Sequence, residues 1–294
     1  ISRAAIAKHI SQLEQIGLEI FAISGKGYRL AQPLQLLDVT QMKQWQAPGS
    51  PEVLLQHLTD STNTQLLKRL QDGQSLQKGQ VIVAEAQSAG RGRRGNDWYS
   101  PFGSNLYFSI YWRLEQGIQA AMGLSLVVGI AIAKLLERRY QCPLKLKWPN
   151  DLYLNDKKLA GILVELTGKT GDAAQLVIGA GINLTMRESI TNAINQDWIN
   201  LQEAGVNIDR NKLTAELLSE LRLAVVKFEN EGLSAFISRW REMDNYLDRP
   251  VKLIIGNQEI FGIARGIDQQ GALLLEQNGN VKPYIGGEIS LRGV

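Results

Sequence analysis

A six-residue run, GRGRRG from Gly90 to Gly95, decides what this chain cannot fold into. Its letters satisfy G-x-G-x-x-G, the pattern of a dinucleotide-binding turn, which needs a strand before it and a helix opening directly after it. The strand is predicted, since residues 80–85 read QVIVAE. The helix is not: Asn96-Asp97-Trp98-Tyr99-Ser100-Pro101-Phe102-Gly103 is turn-rich, and proline drives the preceding residue out of the helical region. No Gly-Lys-Ser/Thr closes the run, so a Walker-type phosphate loop is excluded too. What remains is a glycine-hinged cationic loop that can wrap an anion, or a solvated basic turn.

The bulk properties narrow the setting. At about 100–200 residues per domain, 294 residues predict two domains or three. With 44% hydrophobic and 21% charged residues the chain reads as globular, and its net charge of +3 is too small to imply nucleic acid by itself. The single cysteine, Cys142, excludes an internal disulfide and fits a reducing compartment. His9 and His57, without a Cys-x-x-Cys, supply no zinc set and no supported Ser-His pair. The start, ISRAAIAKHI, has no signal-peptide pattern and no initiator Met, so the sequence is expected to begin inside a domain. Residues 120–133 are apolar over about 14 positions, short of the ~18–20 that span a bilayer. They read as a buried helix of a soluble, cytoplasmic protein with no membrane partner.

Elements follow from periodicity. Residues 2–16 predict a helix capped by Ser2, with Ile6, Ile10, Leu13 and Ile16 on one stripe and Gly17 as its stop. Two β-like runs, 19–24 and 28–30, flank Gly25-Lys26-Gly27, giving the tail of a winged helix-turn-helix or a small structural helix-hairpin. Residues 31–50 read as a connector with a short helical piece. Strands are expected at 53–58, 81–85, 106–112, 152–154, 158–166 and 175–183, and helices at 64–71, 119–140, 210–230 and 233–241. Strand runs with helices between them imply an α+β layer structure. After Arg249-Pro250, runs at 251–255, 259–267, 272–276 and 281–285 are separated by turn residues, the texture of a small all-β barrel.

Two further segments carry chemistry. In KLKWPNDLYLNDKKLAGILVE, Lys145 to Glu165, Trp148-Pro149-Asn150-Asp151 forms a rigid turn whose last two residues offer oxygens to hydrogen bonds or a hydrated metal. Lys158 enters an apolar strand, which places it in or at the mouth of a pocket, or on a solvated hairpin with Lys157. Ser61-Thr62-Asn63 supplies hydroxyls and an amide before a helix, which also suits a plain N-cap.

Taken together, STN at Ser61, EAQSAGRGRRG at Glu85, WYSPFGSNLY at Trp98, KWPNDLYL at Lys147, KLAGILVELTGKTGDA at Lys158, GAGIN at Gly179, RPVKLIIG at Arg249 and GGEISLR at Gly286 closely resemble the bacterial bifunctional biotin–protein ligases and biotin-operon repressors. The resemblance spans essentially the whole chain. It implies an N-terminally incomplete winged helix-turn-helix over 1–36, a mixed-sheet, class II synthetase-like catalytic domain over 37–248, and an SH3-like β-barrel over 249–294. It implies that biotin and ATP, with Mg²⁺, form biotinyl-5'-AMP, and that biotin passes to a lysine of biotin carboxyl carrier protein. By the same resemblance Arg91, Arg93, Lys158 and Asp151 are catalytic, and Ser61, Thr62, Asn63, Gln87, Arg91, Gly92, Arg93 and Lys158 hold biotin. Trp98, Asn150, Asn183, Trp198, Lys252 and Arg292 take the nucleotide side, with Mg²⁺ near Asp151 and no metal fixed by protein alone. Gly90–Gly95 becomes a lid, and residues 186–198 a second segment over the adenylate. Arg3, Lys8, His9, Lys26 and Arg29 would meet operator DNA in an adenylate-promoted homodimer. Two other readings stand beside this one: a DNA-binding biotin sensor without turnover, and a lipoate–protein ligase relative.

Overall fold

The computed structural model describes residues 2–168, 172–186, 194, 196–285 and 289–293, the last five as backbone apart from the Arg292 side chain. Helix α1 (Arg3–Gln15) begins where the Ser2 hydroxyl accepts the Ala5 amide at 3.2 Å. Strands β1 (Ile20–Ile23) and β2 (Gly27–Leu30) form an antiparallel hairpin. This unit sits against the turn after the cationic loop, where the Phe102 amide donates to the Ile16 carbonyl at 2.8 Å.

Helix α2 (Val39–Lys43) leads into the central layer: β3 (Val53–Thr59), α3 (Thr62–Gln71), β4 (Val81–Gln87), β5 (Asn105–Leu114), α4 (Leu124–Tyr140), β6 (Lys145–Lys147), β7 (Asp151–Leu154), β8 (Lys157–Thr167), β9 (Ala174–Asn183), α5 (Arg210–Glu231) and α6 (Ile237–Met243). The seven strands run in the order β3-β4-β5-β9-β8-β7-β6; β3 and β4 are parallel and every other neighbouring pair is antiparallel. The sheet is therefore mixed, as an α+β reading requires.

Side-chain alternation divides the two faces. Val81, Val83, Ile110, Trp112, Leu176 and Ile178 point into the main core with α4 and α5, while Ile82, Tyr111 and Val177 point the other way onto Leu66 of α3. Burying each Leu or Val contributes about 1.5–3 kcal/mol. The helix expected over 119–140 is broken: a 3₁₀ turn, Ile118–Ala121, precedes left-handed Gly123 (φ 82°), and α4 starts after it. A Cβ on Gly123 would stand 2.7 Å from Leu233, so the break is also a packing point. The stretch Ile118–Tyr140 is long and apolar enough to cross a membrane by composition, yet α4 buries most of its apolar residues in the core.

The remaining strands are β10 (Pro250–Ile255), β11 (Gln258–Ile267), β12 (Leu273–Gln277), β13 (Asn280–Tyr284) and β14 (Ile289–Gly293), an antiparallel sheet ordered β13-β12-β11-β10-β14. Strands β6 and β14 are additions to the sequence-based expectation. The first has three residues; the second begins beyond two glycines. Val251, Leu253, Leu273 and Leu275 share one core with Leu126 and Ile130. A buried ion pair ties the connector to the central sheet: Arg210 Nη2 lies 2.9 Å from Glu85 Oε2. Arg210 also donates to the carbonyls of Gln35 and Asn105, while Glu85 accepts the Leu37 amide.

Candidate active site

The α3 face of the sheet turns from bulky to small residues part-way along. Ser109 lies opposite Gly179, which lies opposite Leu163; one pleat further, Tyr107, Gly181 and Gly161 are aligned. Where Tyr111 and Val177 fill the face under α3, the serine and the glycines leave a hollow. Trp98 occupies part of it. A Cβ on Gly181 would lie 2.3 Å from Trp98 Nε1, and one on Gly161 2.9 Å from the ring. The result is a cleft of about 760 Å³.

One end of the cleft is a hydrogen-bonded polar wall. Ser61 holds the N-cap position of α3 with no side-chain capping bond, because Asp60 serves that turn, accepting from the Ser61 amide at 2.6 Å and Gln65 at 2.8 Å. The Ser61 hydroxyl is thereby released from the capping role. Thr62 donates its amide to Gln87 Oε1 at 2.9 Å, and Gln87 Nε2 donates to Ser100 at 2.9 Å. Asn63 accepts from Ser109 and donates to the Leu163 carbonyl at 3.2 Å and to Glu165 at 2.8 Å. Its amide is thus committed to the wall.

The other end is cationic. Lys158 Nζ stands 3.0 Å from Asp151 Oδ1 and 5.5 Å from the Trp98 ring centre. Arg93 donates to Asn150 Oδ1 at 3.2 Å, and burial, then Arg94, pull its guanidinium below its usual pKa against the opposing pull of Asp151. Lys147, paired in register with Asp151, donates to the Tyr153 hydroxyl at 3.0 Å. Burial lowers the Lys147 ammonium, Asp151 opposes this, and Lys158 and Arg292 add to it. Burial pushes the Tyr153 phenol far up. The KWPND turn is seated by Trp148, whose indole donates to the Gly271 carbonyl at 3.0 Å, with its peptide bond to Pro149 in cis.

The arginine-glycine loop crosses the mouth between these ends. It closes on itself: Trp98 N–H donates to the Gly90 carbonyl at 2.8 Å and Gly92 N–H to Asn96 at 2.7 Å. The Gly92 amide is therefore spent inside the loop. Arg94 sits at φ 61° and reaches the Ile254 carbonyl of β10 at 3.4 Å, and Arg91 pairs with Glu165 at 2.7 Å.

Ser61, Thr62, Asn63, Gln87, Arg91, Gly92, Arg93, Trp98, Asn150, Asp151, Lys158 and Arg292 thus line one cleft. Three expected residues lie outside its lining. Asn183 is buried and donates to the Ile199 carbonyl at 3.2 Å. Trp198 flanks the cleft through its backbone, bridged to Lys158. Lys252 pairs with Glu259 at 2.8 Å, though Arg292 stands opposite it on β14. Of the second covering segment, residues 187–193 and 195 lie outside the described residues. Arg3, Lys8 and His9 are exposed on α1, Lys26 at the hairpin turn and Arg29 on β2. Sequence reasoning missed Lys147, Tyr153, Ser109 and Glu165. The signal for Ser109 was present, a single small polar residue inside the run of large side chains LYFSIYW.

Residues 55–183 match the model of the biotin/lipoate A/B protein ligase family, and residues 246–292 that of the biotin protein ligase C-terminal domain. The chain is 59% identical over 292 residues to the bifunctional ligase/repressor BirA of Salmonella typhimurium, covering 99% of this chain and 90% of that protein. It belongs to the bifunctional biotin ligase/repressor family. The Escherichia coli member is likewise 59% identical, with 99% of this chain and 89% of that protein covered. Among solved structures, biotin protein ligase from Aquifex aeolicus in complex with biotin and ATP superposes with a TM-score of 0.70 at 30% identity, covering 83% of this chain and 99% of that one. The first matched region runs from within β3 to the end of β9, and the cleft is lined by it, by residues 194, 196 and 197, and by Tyr246 and Arg292 of the second.

Proposed function

We propose that this chain is an ATP-dependent biotin–protein ligase, and that the cleft joining the Ser61–Gln87 wall to the Arg93–Lys158 end is its active site. The observation that carries this reading is one continuous hollow with hydrogen-bonding groups at one end and Lys147, Lys158, Arg93 and Arg292 at the other. A carboxylate oxygen of biotin attacks the α-phosphorus of ATP; that P–O bond forms as the bond to pyrophosphate breaks. Two anions must meet, so Lys158 and Arg93 offset their repulsion and stabilise the charge on the phosphoryl oxygens. The amine of a lysine on biotin carboxyl carrier protein then attacks the acyl carbon and AMP leaves, and Asp151 receives the proton that the amine gives up. Ser61, Thr62, Gln87 and Arg91 serve the biotin end, Asn63 shapes it, and Trp98, Asn150 and Arg292 serve the nucleotide.

No group of three or more His, Cys, Asp or Glu that could hold a metal occurs among the described residues. Without such a group, Mg²⁺ would be carried chiefly by nucleotide phosphates near Asp151 and would neutralise phosphate charge there. The family's repressor role extends the reading. Arg3, Lys8, His9, Lys26 and Arg29 contact phosphates of operator DNA, residues 1–36 form the winged helix-turn-helix part, 37–248 the catalytic domain, and 249–294 an SH3-like barrel. Biotinyl-5'-AMP acts as corepressor of a homodimer, and the protein works in the cytoplasm. The deciding experiment is biotin-dependent exchange of labelled pyrophosphate into ATP, followed by biotin transfer to the carrier protein. A folded chain that binds biotin without exchange is a sensor, and one that prefers lipoate is a lipoate ligase; either result refutes the proposal.

A further inference from the structure

We propose that Glu165 is a positioning residue: the fixed post on which the arginine-glycine loop closes, coupling the loop to the polar wall of the cleft. One carboxylate oxygen, Oε2, receives two donors from different parts of the chain, Asn63 Nδ2 of α3 at 2.8 Å and Arg91 Nη2 of the loop at 2.7 Å. The post is rigid for two reasons. Glu165 projects from β8, paired on one side with Val177 of β9. Asn63 is seated in the space that Gly179 leaves by lacking a side chain, where a Cβ would stand 2.1 Å from its Oδ1, and its amide also holds the Leu163 carbonyl. From Asn63 the contacts continue through Ser109 to Thr62, 2.7 Å away, and on to Gln87. Gln87 Nε2 reaches Ser100, whose hydroxyl donates to the Trp98 carbonyl at 2.8 Å, on the return limb of the same loop. The loop is therefore held at both limbs by one polar chain that runs through the wall. Glu165 contributes the only charged group in that chain apart from Arg91.

The adenylate readout rests on the ligase reading; the loop readout does not. The variant Glu165→Gln keeps an oxygen that accepts from Asn63 and removes the charge that holds Arg91. A purely structural role for Glu165, holding Asn63, survives that change, whereas a role in loop closure does not. Full-length protein is digested with trypsin at native temperature, with and without biotin, and cleavage after Arg91, Arg93 and Arg94 is followed by mass spectrometry. The loop of Glu165→Gln is expected to be cut about 3- to 10-fold faster at unchanged melting temperature, the scale of one partly exposed, charge-assisted contact. Release of preformed biotinyl-5'-AMP accelerates by a similar factor. Equal cleavage of variant and wild type in both conditions overturns the proposal. Absence of adenylate formation by the wild type refutes the ligase reading and leaves the cleavage comparison to decide the role of Glu165.

Discussion

Replacing Arg210 with methionine tests how the connector is fastened to the catalytic sheet. Arg210 and Glu85 are 4% and 0% exposed, with Nη2 and Oε2 2.9 Å apart. Arg210→Met removes the cation and leaves the Glu85 carboxylate buried with the Leu37 amide as its remaining close donor. It also strips a donor from the carbonyls of Gln35 and Asn105. Breaking a buried pair from one side costs about 3–5 kcal/mol, because the surviving charge is uncompensated. At roughly 2–4 °C per kcal/mol for chains of this order of size, the melting temperature should fall by about 6–20 °C. Adding Glu85→Gln keeps an acceptor for Leu37 and removes the stranded charge, so the double variant should regain stability. Urea unfolding followed by circular dichroism gives the three differences. The double variant is expected to fall short of the sum of the singles by about 1–3 kcal/mol. A single-variant loss below about 1 kcal/mol, or strict additivity, refutes the reasoning.

Three further outcomes can be measured on the same protein. Lys158→Ala should lower biotin-dependent pyrophosphate exchange about 10²–10³-fold, as for loss of one preorganised donor, and exchange within tenfold of wild type contradicts its role. Gly179→Ala would set a Cβ 2.1 Å from Asn63 Oδ1, so Asn63 must move by more than an ångström. About 1–3 kcal/mol of stability should be lost, with a raised KM for biotin, and an unchanged KM would show that the wall tolerates the shift. Lys147 gives a pH signature. Burial lowers its folded pKa below 10.5, so between the folded value and 10.5 the unfolded chain binds more protons and stability rises with pH. Lys147→Met removes this dependence. Its melting temperature relative to wild type should be highest near neutral pH and decline as the pH rises through that window, and a relative value that climbs with pH refutes the assignment.

The mixed sheet was legible because apolar runs and glycine-rich turns report strands and their limits without tertiary help. Strands β4, β5, β8 and β9 lie within a few residues of their expected bounds. What escaped were features created by pairing. β6 has too few residues to show alternation, and it is a strand because Leu146 meets Leu152 across a turn that the sequence did reveal. Helix α3 begins at Thr62 rather than Thr64, since Asp60 takes over the turn that Ser61 and its neighbours were expected to cap. At the site, Arg91, Arg93 and Lys158 announced themselves by charge among glycines or in an apolar strand. Lys147 did not, because nothing local distinguishes it from solvated Lys145. Only the register that faces it with Asp151 and the Tyr153 ring makes it a cleft residue. Glu165 was hidden for the same reason: its two donors come from 102 and 74 residues away.

The cleft's cations are partly matched by carboxylates within the fold. Arg91 is matched by Glu165 at 2.7 Å, and Lys158 by Asp151 at 3.0 Å. Lys158 and Asp151 are 14% and 15% exposed, so the desolvation of both partners has been met by folding rather than being left to binding. An incoming anion therefore exchanges partners; it does not fill a bare positive field. Exchange penalises a single carboxylate, which gains one contact at Lys158 only by loosening another, and it favours a ligand bearing several charges that can engage Lys158, Arg93, Lys147 and Arg292 together. A nucleotide triphosphate meets that condition and free biotin does not. Under the proposed function the cationic end selects ATP by charge number, and the wall at Ser61, Thr62 and Gln87 recognises biotin by hydrogen bonds. The arginine-glycine loop meets Glu165 at the polar wall through Arg91 at 2.7 Å and Asn150 at the cationic end through Arg93 at 3.2 Å. Under the proposed function its closure therefore registers both ligands, which is the requirement for holding an adenylate away from water.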